Sequence, residues 1–223
     1  MLVFRPDRNT SGKRDYSGAF LPESRAFIRY HRRAGRVVFE IEVDISQGAG
    51  GRRREVLNAI ADYGGSHTID ALAFFGHGWP SGSQFGFTLA NVALLATALR
   101  EVNPTNFAVV VFYGCLMGAG PAMGDGNLAD VTRDALCSAG FDHCRVSGHA
   151  SAGNVPGIGG HTTMNPYCRR FEGGGSPTGG HGGTWLVRPG SELWPRFVRL
   201  MRTGFRYRFP WLAIEKIHKE LTT

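Results

Sequence analysis

Two residues 38 positions apart, His77 and Cys115, each follow an apolar run and a glycine. The runs are Ala71-Leu72-Ala73-Phe74-Phe75 before Gly76-His77-Gly78, and Phe107-Ala108-Val109-Val110-Val111-Phe112-Tyr113 before Gly114-Cys115. A thiol with an ordinary pKa of ~8.5 is mostly protonated at neutral pH, and an adjacent imidazole can take that proton and leave a thiolate nucleophile. The same imidazole then returns a proton to a leaving group. Glycines on both sides of His77 leave room for a substrate, and the amides of Gly78 and Cys115 are candidate donors to an oxyanion. Alone, each residue has a blander meaning, because most cysteines are small buried hydrophobes and most loop histidines are solvated. Cys115 follows its run rather than sitting inside it, which favours chemistry.

The elements that must position this pair are legible as periodicities. Val37 to Ile45 alternates and is β-branched, which predicts a strand with Phe39, Ile41, Val43 and Ile45 on one face. Arg52 to Tyr63 has helical spacing and stops at Gly64-Gly65. Thr68 to Phe75 predicts a second strand, Leu89 to Val102 a helix, and Phe107 to Tyr113 a third strand whose unbroken apolar run suits a central position. A helix over Leu128 to Ala139, a strand over Cys144 to His149, a short strand over Thr184 to Val187 and helices over Leu193 to Thr203 and Pro210 to Leu221 complete the reading. Strands alternating with helices predict a three-layer α/β/α sandwich around a mostly parallel sheet. In such sheets functional groups gather at the carboxyl ends of the strands, where His77 and Cys115 both fall.

With these elements in place, the chain resembles the clan of cysteine peptidases that includes caspases, metacaspases, legumains, gingipains, separases and CHAT-domain proteins. The resemblance rests on Phe74-Phe75-Gly76-His77-Gly78 and Phe112-Tyr113-Gly114-Cys115-Leu116-Met117-Gly118 and spans roughly residues 37–150. It implies a caspase-like α/β fold, His77 as general base and acid, Cys115 as nucleophile, and the amides of Gly78 and Cys115 as oxyanion hole. The implied activity is a cysteine endopeptidase, a thiol-dependent hydrolase acting on a protein or peptide through an acyl-enzyme. Leu116-Met117 is more apolar than the small polar residues common at that place, and residues 151–223 resemble none of these families closely. Two other readings stand beside it. One is a catalytically degenerate binding protein of the same fold; the other is a cysteine-dependent amidase or acyltransferase on a non-protein substrate.

Other polar residues are candidates for binding substrate. His149 follows a strand and is expected near the same edge. An acidic substrate residue would need Arg145, Arg169 or Arg170, and a basic one would need Asp70, Asp125 or Asp142. Gly180-His181-Gly182-Gly183 echoes the first histidine motif and makes His181 the rival base. No metal is expected, because His149, His161, His181 and Cys168 lack compact ligand spacing. No cofactor is expected either: the glycine-rich stretch 173–183 is not followed by the Lys-Ser/Thr of a phosphate loop.

The composition bounds the class. A chain of 223 residues with 42% hydrophobic content supports one domain with a sizeable core. The net charge of +7 is uneven. Residues 1–36 hold nine Lys/Arg against three Asp/Glu, residues 192–223 seven against three, and the middle nine against twelve. The expected organisation is a basic N-terminal arm over 1–36, available to an anionic partner, and an α/β domain over 37–223 with a glycine-rich loop at 151–183. Four cysteines without CxxC spacing suggest free thiols in a reducing compartment, so the expected location is cytoplasmic. No apolar run approaches the ~18 residues of a membrane span, and no signal peptide is evident.

Overall fold

The computed structural model describes residues 1–7, 20–120, 126–151, 167–174, 182–203 and 210–221. In chain order these form β1 (Leu2–Pro6), α1 (Phe20–Arg33), β2 (Phe39–Val43), α2 (Ala49–Gly64), β3 (Ala71–Phe75), β4 (Gly78–Trp79), β5 (Gly82–Ser83) and α3 (Ala93–Val102). They continue with β6 (Phe107–Tyr113), α4 (Leu128–Ser138), β7 (His143–His149), β8 (Cys168–Glu172), β9 (Thr184–Val187), α5 (Trp194–Thr203) and α6 (Pro210–His218).

Seven strands form one sheet in the order β2-β1-β3-β6-β7-β8-β9. The pairs from β2 through β7 are parallel, and β7-β8 and β8-β9 are antiparallel. The expected three-layer α/β/α sandwich with a mostly parallel sheet is therefore present. The chain steps outward from β1 to β2 and then reverses to β3, β6 and β7. A right-handed crossover that changes direction changes face. Hence α1 packs on one face of the sheet, and α2, α3 and α4 pack on the other. Helices α5 and α6 join α1.

Alternation along each strand divides the core between the faces. Leu72 and Phe74 of β3, with Ala108, Val110 and Phe112 of β6, face α2–α4. Phe4, Phe74 and Phe112 stand side by side in register, with ring centroids 4.9 and 5.3 Å apart. Ala71, Ala73 and Phe75, with Val109 and Val111, face α1, α5 and α6.

The expected arm over 1–36 is corrected by the structure. Leu2–Pro6 is an interior strand between β2 and β3, and all five of its residues are buried. Arg5 disguised it, being charged yet only 1% exposed. Its guanidinium pairs across the strands with Glu40, at 2.5 Å, and with Glu42. Arg25, Arg29, Arg32 and Arg33 belong to α1, whose apolar side is packed into the core, and Arg8, Lys13 and Arg14 lie outside the described residues. The glycine-rich loop expected over 151–183 is also corrected in part, because Cys168–Glu172 is a strand. Its sequence, Cys-Arg-Arg-Phe-Glu, gave no apolar signal. Arg170 is held there by Glu220 at 2.9 Å and Glu172 at 3.1 Å.

Candidate active site

The β-ladder brings the two candidate groups to one place. Phe75 of β3 pairs with Tyr113 of β6, so His77 and Cys115 each stand two residues beyond the same rung. The amide of Gly76 donates to the carbonyl of Tyr113 at 3.1 Å, continuing the pairing past the strands. Adjacent strands lie ~4.8 Å apart. His77 also continues the phase of 71, 73 and 75 that faces α1. In agreement, the His77 ring meets Phe20, the first residue of α1, edge-on at 5.0 Å. Tyr113 lies within electrostatic reach of both Cys115 and Glu23 of α1. His77 is exposed and Cys115 half-buried.

Glycines make this approach possible. A Cβ on Gly114 would lie 2.6 Å from the carbonyl oxygen of Gly76 and 3.4 Å from the amide nitrogen of Gly78. Backbone cannot yield to such a contact, so only glycine lets the two strand ends stand this close. On Gly76 a Cβ would strike Phe85 at 2.7 Å.

Beyond His77 the chain forms the hairpin β4-β5, with Pro80 and Ser81 at its tip. Gln84 holds the histidine's backbone from both sides: its Oε1 accepts the His77 amide at 2.9 Å, and its own amide donates to the His77 carbonyl at 2.8 Å. His77 and Gln84 thus form the hydrogen-bonded rung, and Gly78-Ser83 is the next, non-bonded pair. In such a pair the amides point away from the partner strand. The Gly78 amide is therefore turned out of its hairpin, on the side where Gly114 approaches.

Cys115 opens a tight turn rather than a helix. Leu116 adopts a left-handed backbone, with φ of 62°, and neither Gly114 nor Gly118 does. A leucine in that region stores about 1–2 kcal/mol of strain, which the surroundings must hold. The Leu116 amide donates to Ser151 at 3.3 Å, and the Leu116 carbonyl accepts from Ala119 at 2.9 Å. Gly118 donates to the carbonyl of His149 at 2.8 Å, and a Cβ on it would meet the Gly148 oxygen at 2.5 Å. The apolar Met117 is explained too. It is fully buried and packs beneath both Gly78 and Gly114.

The remaining candidates separate. His149 reaches the same edge but is buried, its ring edge-on to Tyr113 at 5.1 Å and to Trp211 at 5.6 Å. It supports the cysteine turn through its carbonyl and presents no ring to a substrate. Asp70 precedes β3, at the opposite end of the sheet, where Arg36 binds its carboxylate at 2.9 Å. Arg145 is the third residue of β7, four before His149, and faces Glu172 at 3.8 Å and the Phe107 ring at 5.9 Å. Neither belongs to the site. The strands expected over Thr68 to Phe75 and Cys144 to His149 already held both near a strand's start, away from the carboxyl edge. Asp142 also lies at the start of β7. Arg169 is fully buried, and its guanidinium bonds the carbonyls of Gly120 and Gly183 at 3.2 and 3.1 Å. Asp125, His161 and His181 lie outside the described residues.

Around the dyad, burial dominates the electrostatics. It pushes the Tyr113 phenol upward, and the nearby Glu23 and Cys115 add to that. It also pushes the Glu23 carboxyl well above the usual range, against the pull of the Leu212 and Trp211 amides at the start of α6. Residues that sequence reasoning missed are Gln84, Phe20 and Leu116. Only Gln84 carried a signal, as a polar residue just after the Pro80-Ser81 turn.

Among the described residues no group of three or more His, Cys, Asp or Glu could hold a metal ion. A cavity of about 360 Å³ beside α2, lined by Ile41, Arg54, Glu55 and Tyr63 among others, shares no residue with the dyad. All four cysteines are free thiols, and no described helix is long and apolar enough to cross a membrane. The chain matches no protein-family model, no curated protein and no solved structure.

Proposed function

We propose that this protein is a cysteine hydrolase, most simply an endopeptidase, in which Cys115 and His77 act as a dyad. One observation carries the reading: the two residues stand two positions past the same Phe75–Tyr113 rung, at one edge of the sheet. The Cys115 sulfur attacks a substrate carbonyl carbon after its proton passes to His77. Negative charge on the carbonyl oxygen is met by the amides of Gly78 and Cys115. His77 then protonates the departing amine, leaving a thioester on Cys115. A water molecule, deprotonated by His77, attacks the thioester and frees the acid, and the thiol is restored. A peptide and a non-protein amide present the same bond to this chemistry, so the substrate is the finer part of the proposal.

The test uses a thiol-directed active-site probe and a peptide library on the full chain, with Cys115→Ala and His77→Ala variants. Labelling and cleavage are expected to fall at least about 10³-fold in Cys115→Ala, as for removal of a nucleophile. The buried Cys137, Cys144 and Cys168 serve as internal controls. Labelling of the Cys115→Ala variant at the parent rate would refute the assignment.

A further inference from the structure

Helices α1, α5 and α6 cover the face of the sheet that holds Ala71, Ala73, Phe75, Val109 and Val111. Together they contain eight arginines and lysines and two carboxylates. Both carboxylates, Glu23 and Glu215, are turned inward and buried. The outward positions are basic: Arg25, Arg29, Arg32 and Arg33 of α1 and Arg196 and Arg199 of α5 are exposed, and Lys216 of α6 is half-buried over the Tyr30 ring at 5.8 Å. Along α1 the arginines recur once per turn, every ~5–6 Å. The layer on the other face, α2–α4, holds five basic and five acidic residues. The positive charge is thus concentrated on one side of the molecule.

We infer that the outer face of α1, α6 and α5 binds the phosphate backbone of a nucleic acid. The chemistry of the face selects this partner. Arginine forks match phosphate oxygens in pairs, and arginine supplies six of the seven positions named. Membrane-surface helices and most protein interfaces add large apolar anchors. The exposed large hydrophobics among the described residues are Val37, Trp79, Leu89, Leu94, Tyr167 and Trp185, and none lies on these three helices. Polar, strongly positive surfaces are what nucleic-acid interfaces present. The inference is independent of the dyad, although the two share a helix: α1 offers its arginines outward and Phe20 to His77.

The experiment is fluorescence anisotropy of a labelled 20-base-pair DNA duplex and a single strand of equal length. It is run with the full chain and its Cys115→Ala variant between 25 and 200 mM salt. Four to five phosphate contacts predict a loss of about 10²–10³ in affinity from 50 to 200 mM salt, because each contact contributes ~0.9 to the logarithmic slope. Arg25→Glu/Arg29→Glu should weaken binding at least about 10-fold and flatten the slope by ~2, and the neutral Arg25→Ala/Arg29→Ala should follow in the same direction. Arg53→Glu/Arg54→Glu, on the other layer, changes net charge equally and should stay within about 3-fold of the parent, since a net-charge effect alone is diffuse and screened. Circular dichroism confirms that each variant is folded. The inference is overturned by no binding at 25 mM salt, by equal loss in the two double variants, or by capture on phosphatidylserine vesicles without binding to either DNA. Because Cys115→Ala should bind like the parent, failure here is separate from failure of the proposed hydrolase.

Discussion

The two helical layers differ in kind. The α2–α4 layer balances its charges and fills the space over Phe4, Phe74 and Phe112. It carries one tight buried ion pair, Asp130 with Arg133 at 2.6 Å, within a single helix. The α1–α5–α6 layer meets His77 through Phe20, is basic outside, and hides ionisable groups inside. His31 and Glu215 are both fully buried there, 3.6 Å apart. One side of the sheet is filled by apolar packing, and the other buries an ionisable pair near Arg36, at the end of the sheet away from His77.

That contrast can be broken from either side. Phe74→Ala empties the middle of the phenylalanine row and should cost about 3–5 kcal/mol of stability. Denaturant unfolding measures the loss, and probe labelling per folded molecule should not change. Dyad activity that fell in proportion would show that the two faces are not separable.

Buried charge gives the next effect. Burial lowers the His31 pKa to about 3 and raises that of Glu215 to about 7, from ordinary values of 6.5 and 4.5. Both groups are therefore neutral in the folded protein between those ordinary values. Glu215 contributes stability below pH 4.5 that is lost as pH rises through 7, and His31 contributes stability above pH 6.5 that is lost as pH falls toward 3. Their slopes oppose between 4.5 and 6.5. Relative to the parent chain, Glu215→Gln should gain stability as pH rises across this window, and His31→Gln should lose it. Each change amounts to roughly 3 kcal/mol over two pH units. Parallel profiles for the two variants would remove the assigned cause.

Gly114→Ala is the converse of the phenylalanine change. Its Cβ would push the strand ends apart, and a displacement of that kind costs about 10²-fold in rate. Turnover of a peptide substrate per folded molecule should fall by that factor, and unfolding should show a loss of stability as well, because the contact is with backbone. The smallest effect is expected from Leu116→Val. A β-branched residue is poorly suited to a left-handed backbone, so about 1 kcal/mol of stability should be lost in thermal unfolding.

The sequence carried the sheet's carboxyl edge well because β3 and β6 are nearly pure hydrophobic runs. β6 was read with its observed limits, Phe107–Tyr113. It concealed β1 and β8, because Arg5, Arg169 and Arg170 are arginines in strands whose partners come from distant chain segments. Glu42 pairs with Arg5 across 37 positions, and Glu220 with Arg170 across 50. No local pattern contains such pairings. The proposed pair, His77 and Cys115, was visible as residue types and strand ends. Its matched register was not, nor was Gln84's grip on His77, because both depend on which residue faces which.

The close approach at Gly114 also bears on motion. The groups proposed to react hang from a hydrogen-bonded ladder, with the Gly76 amide bound to Tyr113 as its final rung. Loops on a scaffold open locally at little cost, whereas sheet centres open only with much of the protein. The distance between the two strand ends should therefore fluctuate little while the hairpin beyond His77 moves. In hydrogen exchange, the Gly76 amide would then resemble the core strands in its slowness, so that the protein's rigid interior extends to within one residue of His77.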